Sequence, residues 1–147
     1  MDSIAVPNKD LERHCFRLRQ AIIAVKSTTF LFKDFPNGCC RDMSVVLGAY
    51  LKTKGFFDIN YCHREYDDGI PSHGWLEVGD LILDLTADQF GNSRPPVVIT
   101  PNTSEDKIYM VKNVQPWSFG IVSTDIFSLK SDYDKIIAAL DENDFII

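Results

Sequence analysis

At 147 residues the chain has the length of one domain able to bury its own core without covalent staples, and it is read as a single unit over residues 1–147. With 45% hydrophobic and 24% charged residues it belongs with ordinary folded chains, which argues against disorder or a fibrous repeat. A formal charge of −6 argues against the basic surface that general nucleic-acid binding requires, and the lack of any apolar run of ~18 residues argues against a membrane-spanning helix.

The N-terminal stretch MDSIAVPNKD has neither the basic start nor the apolar run of an export signal. The four cysteines, Cys15, Cys39, Cys40 and Cys62, include an adjacent pair unsuited to mutual bridging. A reducing, cytoplasmic setting is therefore expected, with export by a non-classical route left open. From residue 9 to 27, Leu11, Cys15, Leu18, Ile22 and Val25 recur at three- and four-residue steps, which predicts a helix with one buried stripe, capped by Asn8 or Asp10. FKDFPNG (32–38) is a turn signal through Pro36, Asn37 and Gly38. Residues 39–53 predict a second helix, with Met43, Val46, Leu47, Tyr50 and Leu51 as its core face and Gly55 as its stop.

Strand patterns follow: FFDINYCHREY (56–66), then the loop DDGIPS, then HGWLEV (73–78) and LILDLT (81–86). Gly79-Asp80 between the last two predicts a tight hairpin with a type II′ turn. VVIT (97–100) and KIYMVK (107–112) read as further strands around the loop PNTSED, and SDYDKIIAALDEN (131–143) as a closing helix. Helices first and a mostly antiparallel sheet afterwards predict an α+β fold.

Two local features converge on one site. A cysteine at the start of a helix meets the positive end of the helix dipole and unpaired amides, which favour a thiolate and can hold an oxyanion. The hairpin supplies the second feature. With Gly79-Asp80 as the turn, Val78 faces Leu81, Glu77 faces Ile82, Leu76 faces Leu83 and Trp75 faces Asp84. His73, Trp75, Glu77 and Asp84 then share one face. Asp84 lies diagonal to His73, about 7–8 Å away at the backbone and within imidazole–carboxylate reach. This is the geometry of a base and its orienting carboxylate. Asp84 within an apolar strand is costly unless paired. Glu77 reads as a solvated edge charge, and Trp75 as core or as a wall of the substrate cleft.

The strings GCCRDMS, SHGWLEV and LILDLT resemble the transglutaminase-like branch of papain-fold cysteine enzymes. That branch carries G-x-C-x-D-x-A/S at a helix start, then an H-A-W-V/L-E-V strand, then a strand ending in D-x-T. Gly38, Cys40, Asp42 and Ser44 match the first element, His73, Trp75 and Glu77 the second, and Asp84 and Thr86 the third. The resemblance covers roughly residues 36–90 and implies a papain/transglutaminase-like core. Cys40, which alone has Gly two residues before and Asp two after, becomes the nucleophile, with His73 as base and Asp84 as orienter. Gly74 departs from the usual Ala. Lys33 or Asp34 stands where papain-type proteases carry a Gln, about six residues before the nucleophile. One oxyanion donor is then the Cys40 amide, and Gln89 or Asn37 is the candidate for another.

The activity so implied is thiol-dependent acyl transfer on an amide: peptide or protein hydrolysis, deamidation or transamidation, without a cofactor or metal. A toxin or effector acting on protein side chains, a processing peptidase and a housekeeping amidase all suit so small a chain. The alternative is a catalytically silent papain-like binding module, an effector, toxin-associated or adaptor protein using the cleft only to hold a partner. A zinc site from His14-Cys15, Cys39-Cys40 and Cys62-His63 is disfavoured, because adjacent ligands seldom converge on one ion.

Overall fold

A computed structural model describes residues 5–91, 93–110, 112–121 and 125–142. Three α-helices and a five-stranded antiparallel sheet make up the described architecture, which is α+β. Helix α1 (Ala5–Val25) begins several residues before the expected start, so Asn8 and Asp10 lie inside it rather than at its cap. Pro7 allows this, since proline is tolerated in a first turn where amides lack intrahelical acceptors. Asp10 instead accepts from Arg13, one turn on, at 3.0 Å. Leu11, Cys15, Leu18 and Ile22 are buried as their spacing predicts.

Helix α2 (Cys40–Thr53) matches its expected bounds but is far more enclosed than a one-stripe helix. Every residue from Asp42 to Leu51 is buried. The helix packs on the strand His73–Val78 and meets α1 and the C-terminal helix Ile126–Glu142, so little of it faces water. Gly48 marks one close approach: a Cβ there would lie 2.2 Å from the Trp117 indole nitrogen, which donates to the Val45 carbonyl at 3.1 Å. Helix α3 (Ile126–Glu142) starts earlier than the pattern suggested, because the Asp125 carboxylate accepts from the Phe127 amide (2.9 Å) and the Ser128 hydroxyl (3.1 Å). Asn143, at the expected end of this helix, lies outside the described residues.

The strands are β1 (Ile59–Arg64), β2 (His73–Val78), β3 (Leu81–Asp84), β4 (Val98–Pro101) and β5 (Asn113–Pro116), in sheet order β4-β3-β2-β1-β5. The β2–β3 hairpin has the counted register: Val78 pairs with Leu81, Glu77 with Ile82 and Leu76 with Leu83. Gly79 takes φ +58° while Asp80 keeps a negative φ, as a type II′ turn requires. The segment 107–112, in which Val111 lies outside the described residues, is the main departure. Lys107–Tyr109 form a 3-10 turn rather than a strand, because the Asp106 side chain accepts from the Ile108 amide at 3.2 Å and draws the backbone into a local cap. The fifth strand is instead the exposed segment Asn113–Pro116, an edge strand ending on proline.

Alternation along the sheet makes two cores. Ile59, Tyr61, Leu76, Val78, Leu81 and Leu83 face the helices. Cys62, Trp75 and Ile82 face the other way, covered by Ile108 and Tyr109 from the 3-10 turn. His73 opens β2 and Asp84 closes β3, so both sit at one end of the sheet, beside the start of α2.

Candidate active site

Cys40 occupies the first position of α2, where its amide has no intrahelical acceptor. Its side chain is half-buried and lines a cavity of about 120 Å³ shared with Arg41, Tyr61, His63, His73 and Gly74, among others. The adjacent Cys39 is different in kind. It is 3% exposed, and its thiol donates to the backbone carbonyls of Asn37 (3.3 Å) and Leu31 (3.5 Å). Burial and the nearby Asp42 push the Cys39 thiol up to about 12. Burial likewise raises Cys15 and Cys62 to about 12. All four cysteines are free, and Cys40 is the one that is not buried.

His73 and Asp84 are 3% and 2% exposed, and Nε2 of the imidazole lies 2.6 Å from Oδ2 of the carboxylate. The same Oδ2 accepts from the Tyr109 hydroxyl at 2.7 Å. Oδ1 accepts from the Thr86 amide at 3.0 Å and its hydroxyl at 3.4 Å. Asp84 is therefore a buried carboxylate with a donor on every side, which offsets the cost of desolvating it. Burial and the Asp84 carboxylate drive the Tyr109 phenol far above its ordinary range, so it remains a donor.

The His73 ring is also wedged in place, edge-on to Phe90 at 4.9 Å and tilted against Trp75 at 5.8 Å. Burial alone would lower its pKa; the bond to Asp84 and the neighbouring Cys40 sulfur outweigh this and raise it to about 9. With Nε2 committed to Asp84, Nδ1 is the nitrogen left for Cys40, and it has no hydrogen-bond partner in this resting arrangement. Sulfur and Nδ1 are thus neighbours without an aligned bond, a common state of a nucleophile and base before substrate enters.

The two candidate oxyanion donors part company. Gln89, in the 3-10 turn Ala87–Phe90, accepts from the Gly38 amide at 3.2 Å, just before the nucleophile, while its Nε2 is buried without a partner. Arg19 fastens this turn to α1 through Asp88 (2.8 Å) and stacks on Phe35 with 4.9 Å to the ring centre. Asn37 is exposed, its amide donating to Asp34 at 2.8 Å within the turn before α2. Trp75 is 1% exposed and packs on Tyr109 at 5.0 Å, so it is core behind the histidine and not a wall open to substrate. Glu77 is likewise not a solvated edge charge: it is buried and ion-paired with Lys112.

Gly74 has a steric reason. A Cβ at this position would stand 2.4 Å from the Tyr61 hydroxyl, so the glycine admits that phenol to the cavity beside Cys40. Tyr61, Tyr109, Phe90, Arg41 and Arg64 were not singled out as site residues from sequence. Tyr109 lies 25 positions from Asp84 in a segment with a strand-like pattern, and only the folded turn brings it back. Among the described residues, no group of three or more His, Cys, Asp or Glu could hold a metal ion, and no helix is long and apolar enough to cross a membrane. No protein-family model, curated protein or solved structure matches the chain.

Proposed function

We propose that Cys40, His73 and Asp84 act as nucleophile, base and orienter in acyl transfer from an amide, on a core of papain/transglutaminase-like type. The observation that carries this reading is the buried His73–Asp84 pair with its free Nδ1 turned to the one incompletely buried thiol. With His73 protonated, Nδ1 already carries the proton of the Cys40 thiol, and Sγ attacks the carbonyl carbon as a thiolate. The resulting oxyanion is held by the Cys40 amide, which opens the helix without an intrahelical acceptor, and by Gln89 Nε2, which is buried without a partner among the described residues. Collapse expels the amine, which takes the proton from His73 and leaves a thioester on Cys40. Water or a second amine, deprotonated by His73, then attacks the thioester and restores the thiol. Water yields hydrolysis or deamidation, and an amine yields transamidation. Peptide or protein amides are the proposed substrates.

The test is iodoacetamide labelling at neutral pH with the modified sites read by mass spectrometry. Cys40 alone should label in the wild type, since the other three thiols are buried and pushed up to about 12. His73→Ala should slow that labelling at least roughly tenfold, the loss expected when an activating base is removed. Labelling of Cys40 at an unchanged rate in His73→Ala, or preferential labelling of Cys39, would overturn the assignment.

A further inference from the structure

Arg64 closes β1 at the edge of the Cys40 cavity and is 4% exposed, yet it has no carboxylate partner among the described residues. Its Nη1 donates to the Lys107 carbonyl at 2.8 Å and its Nε to the Glu65 carbonyl at 3.3 Å. Two backbone carbonyls satisfy part of a guanidinium with five donors; they do not neutralise it. Nη2 makes no hydrogen bond with the described residues. A buried cation without a counter-ion is costly, so its retention beside a nucleophile calls for a function.

The surroundings have the same bias. Arg41, one residue after Cys40, lines the same cavity, lies against the Tyr61 hydroxyl and forms no ion pair with the described residues. His63, stacked on Tyr61, has a buried Nδ1 without a partner. The one carboxylate on the cavity rim, Glu65, is 80% exposed at its side chain and turns towards His63 Nε2 at 3.5 Å. Arg64 and Glu65 also line a neighbouring cavity of about 330 Å³ together with the exposed Asp67 and with Lys112, whose charge Glu77 balances. In a chain of net charge −6, the space beside Cys40 therefore holds two guanidiniums without counter-ions among the described residues.

We infer that the acyl group delivered to Cys40 carries an anion, a carboxylate in a peptide context, seated between Arg41 and Arg64. This rests on the acyl-transfer reading and narrows it: the amide cleaved or exchanged lies within one side-chain length of an acidic group. The planar forks of the two arginines suit a carboxylate, and the small cavity favours a compact anionic side chain or chain terminus over a bulky apolar one.

The experiment compares the rates at which two methanethiosulfonates of similar size modify Cys40, the anionic sulfonatoethyl reagent and the cationic trimethylammonioethyl reagent. The anionic reagent should react roughly tenfold or more faster in the wild type, and the preference should shrink as salt is raised. Arg41→Met and Arg64→Met should each reduce the ratio, while protonated His73 acts equally in every variant. Should Arg64→Met fail to fold because the site is buried, exposed Arg41→Met still provides the comparison. A ratio near or below one in the wild type, with Cys40 still reactive, would sink the anion inference and leave the triad standing. No reaction of Cys40 with either reagent or with iodoacetamide would overturn both.

Discussion

Two adjacent cysteines show how far a change of one position in the chain alters chemistry. Cys39 points into the core, bonded to two carbonyls, whereas Cys40 opens a helix and faces His73. Asp84 is the residue on which the site's polarity depends, because it accepts from His73, Tyr109 and Thr86 together. Asp84→Asn preserves the shape but replaces an acceptor for the imidazole with a group that can present N–H to it. The neutral amide also removes the charge that keeps His73 protonated, so the ring's pKa should fall from about 9 to the lowered value that burial dictates. Turnover, or Cys40 alkylation as its proxy, should drop by about a hundredfold or more, and the pH profile of the residual rate should lose its alkaline reach. An unchanged profile would remove Asp84 from the role of orienter.

At the scale of elements, the end of the sheet is shaped by a glycine–tyrosine contact. Gly74 on β2 makes room for Tyr61 on β1, whose ring otherwise belongs to the helix-facing core. Gly74→Ala would push the phenol away from Cys40 and should destabilise the protein by about 1–3 kcal/mol, the range for overpacking. Tyr61→Phe removes the atom at 2.4 Å and leaves ring carbons at 3.0 Å. The double variant should therefore be more stable than Gly74→Ala alone, by about 1 kcal/mol of coupling in a denaturant cycle. Additivity of the two changes would show that the contact does not set the geometry. The helix start and the hairpin that flank this contact were both legible from spacing and turn residues. The contact was not, because Tyr61 and Gly74 meet across a strand pairing, His63 with Gly74, that neither segment states by itself.

For the whole molecule, the buried His73–Asp84 pair links the site to global stability. The folded-state pKa of His73, about 9, lies above the ordinary 6.5. Folding therefore takes up a proton between these values, and the pair's contribution is fully present below pH 6.5 and fades as pH rises through 9. The thermal midpoint of the wild type should fall across that window, and His73→Gln should flatten the fall. A midpoint in His73→Gln that fell as steeply would assign the effect to other groups. The location of the pair reinforces the coupling, since it stands where sheet, α2 and the Lys107–Tyr109 turn meet, and loosening any of the three exposes it.

Local rules determined much of this chain by themselves. Three- and four-residue spacing announced the helices, Gly79-Asp80 set the hairpin register, and that register put a carboxylate beside a histidine, because side-chain direction along a paired strand follows from counting. The starts of α1 and α3 were misplaced where single side chains or a tolerated proline decided the first turn. The segment 107–112 was misread because a period-two apolar pattern cannot register that Asp106 will cap its own backbone. Only the tertiary structure set the Gln89 side chain against the Gly38 amide while leaving Asn37 exposed, brought Tyr109 onto Asp84, and left Arg64 buried without a counter-ion among the described residues. Each of these depends on which distant segments pack together, and burial, the quantity that turns a polar residue into a committed partner, exists only once they have done so.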